Sequence, residues 1–280
     1  MDTRKADGYL HNIFSIEEVI TLGLLLSLQM KIQGYDESIL SHKKTESVEA
    51  FKYLQKANQW IEEHMALKDK LNTAKLDSAT KYALLAVSID PLYADAHNTM
   101  GVVFEEMGYF TDAVSEYQTA VLGKDSTWYL PYFNMGNVYY KLGFKEKAYD
   151  NFKKSTELYP RYAEGYYAMG VMQHNDENFN EAKIHYNSAV KLNPNHTLAL
   201  INLGEISFIE EKIDEAIIFF QKAIDSEPSY SEVYYKLAIM YALKADLETA
   251  KYLIEKAISI NNNIKYVIEL NKINDALLSE

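Results

Sequence analysis

Residues 132–143 read YFNMGNVYYKLG. Tyr132, Met135, Gly136, Tyr139 and Leu142 recur at the three- and four-residue spacing of one helix face. Yet a glycine stands mid-helix, where it costs about 1 kcal/mol relative to alanine. Gly136 is matched by Gly170 and Gly204, each 34 residues on, by Gly101, 35 residues back, and by Ala238 one further step of 34. An alanine column keeps the same interval: Ala79, Ala113, Ala148, Ala182, Ala216 and Ala250. Pro160, Pro194 and Pro228 are also 34 apart, and Pro91 lies 69 before Pro160. Columns in phase over five or six periods mark an internal repeat, which governs every later reading.

Each period holds two helical patterns. After Tyr132–Leu142 comes a break at Gly143; then Ala148, Phe152, Ser155 and Leu158 trace a second helix ending before Pro160. Thr111, Asn180 and Asp214 stand where second helices would be capped. An antiparallel pair with a close crossing accounts for the glycine. Glycine on the first helix facing alanine on the second lets the backbones approach, and dispersion contacts offset the propensity cost.

The pattern resembles the tetratricopeptide repeat family, whose aromatic-x2-Leu-Gly-x2-Tyr, Ala-x3-Phe and Pro positions are met by Tyr132, Met135, Gly136, Tyr139, Ala148, Phe152 and Pro160. Later copies give Tyr166, Met169, Gly170, Ala182, Tyr186 and Pro194, then Leu203, Gly204, Ala216, Phe220 and Pro228, then Tyr234, Leu237, Ala238, Tyr241 and Ala250. An earlier copy has Met100, Gly101, Phe104, Ala113 and Tyr117. Tyr or His97 replaces the family's tryptophan, Asp125 stands where a proline is common, and Ser126–Trp128 takes up the one extra residue. The resemblance implies an all-α, right-handed superhelical solenoid of antiparallel helix pairs. Five repeats are expected, at 94–128, 129–162, 163–196, 197–230 and 231–264. Residues 45–93 read as a degenerate pair. Residues 265–280, with Tyr266, Leu270, Ile273 and Leu277, read as a capping helix.

Composition narrows the function. The chain has 280 residues, 48% of them hydrophobic, and a net charge of −12. Such a surface repels nucleic acid and anionic membranes. There is no cysteine, which excludes disulfides, thiolate metal sites and cysteine nucleophiles. Residues 1–44 hold an apolar run, Val19 to Met30, preceded by Glu17 and Glu18. It reads poorly as a signal peptide and is shorter than the roughly 20 residues that span a bilayer. A cytoplasmic protein without stable membrane insertion is expected. Residues 13–32 are read as a cap on the solenoid or as a helix that docks a partner.

Chemistry-bearing patterns are missing. The seven histidines form no metal-spaced pair, GYYAMG at Gly165 lacks the Lys-Ser/Thr of a phosphate loop, and Glu105-Glu106 and Glu210-Glu211 read as solvated helix faces. No enzyme activity and no cofactor are expected.

In this family the first helices line a concave face that holds a peptide. Helical geometry places that stripe six, three and two residues before the small column, and one, four and five after it. Two before stand Thr99, Asn134, Ala168, Asn202 and Lys236; three before, Asn98, Phe133, Tyr167, Ile201 and Tyr235; six before, Asp95, Leu130, Glu164, Leu198 and Glu232. One after stand Val102, Asn137, Val171, Glu205 and Ile239. Tyr140, His174 and Phe208 lie four after. The asparagines can donate to and accept from a peptide backbone, and the resemblance implies that role for Asn134 and Asn202. The candidate groove is therefore Asn98, Phe133, Asn134, Asn137, Tyr140, Tyr167, His174, Asn202, Phe208, Tyr235 and Lys236. Only Asn202 and Lys236 match the clamp with which some members hold a chaperone's C-terminal carboxylate. The expected function is a non-enzymatic scaffold or adaptor, its ligand a neutral or basic, partly hydrophobic protein segment. One alternative is a self-assembling protein whose N-terminal segment fills a neighbour's groove. The other is a targeting module for an enzyme on another chain. Gly136→Leu is expected to lower the thermal midpoint strongly, because a side chain there has nowhere to go.

Overall fold

The computed structural model describes residues 45–66, 73–122 and 128–279. The N-terminal segment 1–44 with its apolar run, Asp125, and the first two residues of Ser126–Trp128 lie outside the described residues. The described chain is all-α, with thirteen helices and no strand. It divides into two compact units, Met1–Ala148 and Tyr149–Glu280.

The first unit contains α1 (Val48–Met65), α2 (Ala74–Ile89), α3 (Ala94–Glu106), α4 (Phe110–Leu122) and α5 (Leu130–Lys141). Consecutive helices pack on one another, and α3 also touches both α1 and α5 directly. The unit boundary falls inside α6 (Lys145–Leu158). The second unit continues with α7 (Ala163–Asn175), α8 (Phe179–Leu192), α9 (Thr197–Ile209), α10 (Ile213–Ser226), α11 (Ser231–Leu243), α12 (Leu247–Ile260) and α13 (Ile264–Ser279). Here α7/α8, α9/α10 and α11/α12 are helix pairs, each second helix packs on the first helix of the next pair, and α13 packs on α12. Tyr266 and Ile273 of α13 are buried in one core with Tyr234, Leu237 and Ile254, and Leu270 and Leu277 pack against it.

Every member of the alanine column, from Ala79 to Ala250, is fully buried. At Gly101, Gly170 and Gly204, however, the nearest atoms of the facing helix belong to an aromatic ring and not to alanine. A Cβ added at Gly170 would lie 2.6 Å from the ring of Tyr186, and one at Gly204 would lie 2.7 Å from Phe220. Gly101 stands in the same relation to Tyr117. The aromatic four residues after the alanine fills the gap, so the glycine makes room for a ring and not for a backbone. These rings are almost wholly buried, which is worth about 2–3 kcal/mol each and outweighs the glycine's propensity cost. In the fifth pair Ala238 replaces glycine and the smaller Ile254 replaces the ring, both at 0% exposure.

The turns between paired helices repeat as closely. Gly108, Gly143, Glu177, Glu211 and Ala245 all have positive φ, between 59° and 80°. After each, the next amide donates five residues back: Tyr109 to Phe104 (2.8 Å), Phe144 to Tyr139 (2.9 Å), Asn178 to Gln173 (2.8 Å), Lys212 to Ser207 (2.8 Å) and Asp246 to Tyr241 (3.0 Å). This is the Schellman closure of a helix end. It starts the second helix earlier than the capping pattern suggested. Thr111, Asn180 and Asp214 lie inside the first turns of α4, α8 and α10 and are not caps. The capping position is the residue just after the left-handed one, and Asp246 uses it, its Oδ1 accepting from the Thr249 amide at 3.1 Å.

One buried polar pair ties α3 to α4. His97 is 3% exposed. Its Nδ1 lies 2.7 Å from Glu116 Oε2 and its Nε2 3.0 Å from the Pro91 carbonyl. Both partners are acceptors, so both ring nitrogens donate and the imidazolium is favoured. Burial opposes the charge, but the bonds to Glu116 and Pro91 prevail and hold the pKa above the ordinary 6.5.

Two outcomes follow from these contacts. Gly170→Ala should destabilise by about 1–2 kcal/mol, overpacking exceeding the propensity gain, and adding Tyr186→Ile should recover part of the loss. Urea midpoints read this, and an unchanged or higher midpoint for the single variant would contradict the glycine–ring contact. For His97, the folded-state pKa is raised, so its contribution is complete below pH 6.5 and is lost as pH rises through the raised value. The stability gap between wild type and His97→Gln should therefore narrow as pH rises through that window, and a constant gap would contradict the ion pair.

Candidate functional site

The first helices of the first unit enclose a cleft of about 460 Å³. From α3 it is lined by Asp95, Asn98, Thr99 and Val102. These are the positions six, three and two before, and one after, Gly101. From the start of α5 come Leu130, six before Gly136, and the preceding Trp128. From α1 come Phe51, Leu54, Gln55, Asn58, Ile61 and Glu62. Counted from Ala57, which is fully buried, these six fall at minus six, three and two, and plus one, four and five. The stripe therefore extends onto α1, and Tyr93 closes the cleft beside Asp95.

The α1 half of this site was missed in the sequence, although a signal existed. Ala57 is the small column of the degenerate copy, but it stands 22 residues before Ala79, where every regular copy has 12. Ten extra residues between the helices hid the alignment.

Amide and hydroxyl groups link neighbouring helices across the cleft. Thr99 Oγ1 donates to Asn58 Oδ1 at 3.0 Å, joining α3 to α1. Asn134 Nδ2 donates to Asn98 Oδ1 at 3.1 Å, joining α5 to α3. Asn134 thus spends a donor inside the protein. Phe133, Asn137 and Tyr140 lie half-buried on α5 and are not among the residues that line the cleft. The lining carries two carboxylates, Glu62 and Asp95, and no lysine or arginine.

In the second unit the expected residues have separate fates. Asn202 Nδ2 donates to the Tyr186 hydroxyl at 2.9 Å, and His174 Nδ1 lies 3.4 Å from the same oxygen. Tyr167 packs on His196 at 4.8 Å between ring centroids. Phe208 is 42% exposed. Tyr235 is a correction: it is 8% exposed, stacked on Tyr266 at 5.1 Å, with Lys265 Nζ 4.2 Å above its ring. The terminal helix covers it, so it belongs to the core. Lys236 is held by carboxylates of its own chain. Its ammonium sits 2.9 Å from Glu205 and 3.6 Å from Glu232. Burial works against its charge, yet Glu205 and then Glu232 raise its pKa above the ordinary lysine value.

A rule connects core to surface. The aromatic that fills the glycine gap reaches, by its hydroxyl, the residue four after the glycine. Tyr117 OH donates to Glu105 Oε2 at 2.9 Å, and Tyr186 OH meets His174. Where the ring is Phe220, which has no hydroxyl, position four after holds Phe208; where it is Ile254, it holds Ala242. In these four pairs polar gap-fillers accompany polar residues and apolar ones apolar residues, whereas in the Gly136 repeat the corresponding residues are Phe152 and Tyr140.

Among the described residues, no group of three or more His, Asp or Glu could hold a metal ion, and no helix is long and apolar enough to cross a membrane.

Comparisons with known proteins agree with the fold. Three sequence profiles, each described as Tetratricopeptide repeat, match residues 129–162, residues 219–252, and residues 163–196 and 198–230. No curated protein shows significant sequence similarity to the chain. Among solved structures, PilF of Pseudomonas aeruginosa superposes with a TM-score of 0.63 at 18% identity, covering 79% of this chain and 99% of that one. YrrB, described as a TPR protein with an unusual peptide-binding site, gives 0.53 at 24% identity over 68% of this chain and 97% of its own. TTC0263 of Thermus thermophilus, a thermophilic TPR protein, gives 0.53 at 17% identity over 69% and 99%. At these identities the likeness is one of fold. With their 34-residue recurrence, their glycine–ring helix pairs and three matching profiles, residues 129–252 of this chain are tetratricopeptide repeats.

Proposed function

We propose that this interaction scaffold acts as a non-enzymatic adaptor, capturing a protein segment in the cleft between α1, α3 and the start of α5. The observation that carries this is the cleft's lining. Seven aromatic or aliphatic residues, among them Phe51, Tyr93, Val102 and Trp128, surround amides and two carboxylates, without a cation. Such a surface takes up apolar side chains, offers Gln55, Asn58 and Asn98 to a peptide backbone, and favours a neutral or basic ligand over an acidic one. The ligand is thus a partly hydrophobic, neutral or basic segment of another protein. In the second unit, taken by itself, Asn202, Tyr167, His174 and Phe208 occupy the same stripe positions and would recognise a segment in the same way.

The test is a library of 15-residue peptides graded in charge and hydrophobicity, titrated against wild type, Val102→Arg and Ser115→Glu. Ser115 lies exposed on the second helix α4. Wild type should select apolar-basic peptides. Val102→Arg should weaken them at least tenfold, about 1.4 kcal/mol, and Ser115→Glu should leave them unchanged. Equal binding by the arginine variant, or a preference for acidic peptides, would refute the reading.

A further inference from the structure

We infer that the cleft has an occupant within the same chain. Residues 13–32 fill it in cis, so that a partner segment binds by displacing them. This rests on the cleft being the adaptor's binding site. It follows from where the described chain resumes. Thr45 is buried, and its hydroxyl is hydrogen-bonded to Asp90. Ser47 caps α1, its Oγ accepting from the Ala50 amide at 3.1 Å. The chain is therefore pinned at a point three residues before α1. Phe51, in the first turn of α1, and Tyr93, three residues after Asp90, both line the cleft. Thr45, the first described residue, thus stands at the end of the cleft formed by the beginnings of α1 and α3.

Length and chemistry fit that occupant. Twelve residues, 33–44, separate Ile32 from Thr45. Extended, they reach about 40 Å, beyond the roughly 27 Å length of an 18-residue helix such as α1. The run Val19–Met30 contains no charged residue, and its eight large apolar side chains require cover from water. Lys31 follows it directly, while Glu17 and Glu18 precede it, so residues 13–32 carry one cation against two carboxylates. The match to the lining's seven aromatic or aliphatic residues is therefore one of apolar surface and not of charge. A short tether gives an effective concentration of about millimolar. A segment with an intrinsic Kd of about 100 µM would then hold the cleft about nine-tenths closed and weaken a partner's apparent affinity about tenfold.

Because the chain has no cysteine, an introduced pair reports unambiguously. In the full chain, Asn98→Cys is combined in turn with Leu22→Cys, Leu25→Cys and Leu28→Cys, and Ser115→Cys replaces the cleft position as control. Mild oxidation should close a disulfide within one chain, at a rate independent of protein concentration, for at least one cleft pair and for no control. Absence of closure overturns the inference. So does a rate proportional to concentration, which would place the segment in a second copy. Separately, full-chain Leu25→Glu/Leu26→Glu should bind the selected peptides about tenfold more tightly than wild type. If that variant binds them no better while Val102→Arg still weakens binding at least tenfold, cis occupancy is refuted and the adaptor reading stands. If the disulfide closes but neither wild type nor the open variant binds any peptide, occupancy stands and the adaptor reading falls.

Discussion

The whole arrangement depends on one packing constraint, a ring seated against a helix that carries no side chain at the point of contact. Tyr186 against Gly170 and Phe220 against Gly204 fix the separation and the sliding position of their helix pairs. Protein interiors transmit such a constraint because they are close-packed. Once the ring is seated, the alanines four residues before it come to lie fully buried, and the left-handed turn that closes the first helix can be short. The Ala238–Ile254 pair shows that complementary volume is what matters, since a methyl group is accommodated when the facing side chain shrinks.

The same rings bring the core into contact with the first-helix stripe. Tyr117 and Tyr186 are buried, but their hydroxyls meet Glu105, His174 and Asn202. A tyrosine in this place settles both helix spacing and the orientation of polar side chains on the first-helix stripe. Burial and the neighbouring Glu105 raise the Tyr117 pKa, which keeps the phenol a donor.

Much of the fold was legible because its signal is periodic. Gly136, Gly170 and Gly204, with the alanine column, announce helix pairs of fixed length. What the period could not reveal was the partner of each glycine, since alanine and the ring four residues later recur at the same interval. Turn geometry was half visible. Gly108 and Gly143 declare a left-handed residue, whereas Glu177, Glu211 and Ala245 adopt one without glycine's freedom. The stripe offsets led to Asp95, Asn98, Thr99, Val102 and Leu130, but the wall built by α1 was obscured by the extra residues between Ala57 and Ala79. Tyr235 and Lys236 obey the stripe's spacing too. The terminal helix hides the first and two carboxylates occupy the second, and both effects come from residues outside the repeat position itself.

The polar links across the cleft bear on how tightly it can hold anything. Asn58 with Thr99, and Asn98 with Asn134, restrain one another between successive repeats. Their rotamers are settled before a guest arrives, so less conformational entropy remains to be surrendered on association. Rigidity of that sort is shared property: loosening Asn134, outside the cleft itself, would blur the posture of Asn98 within it.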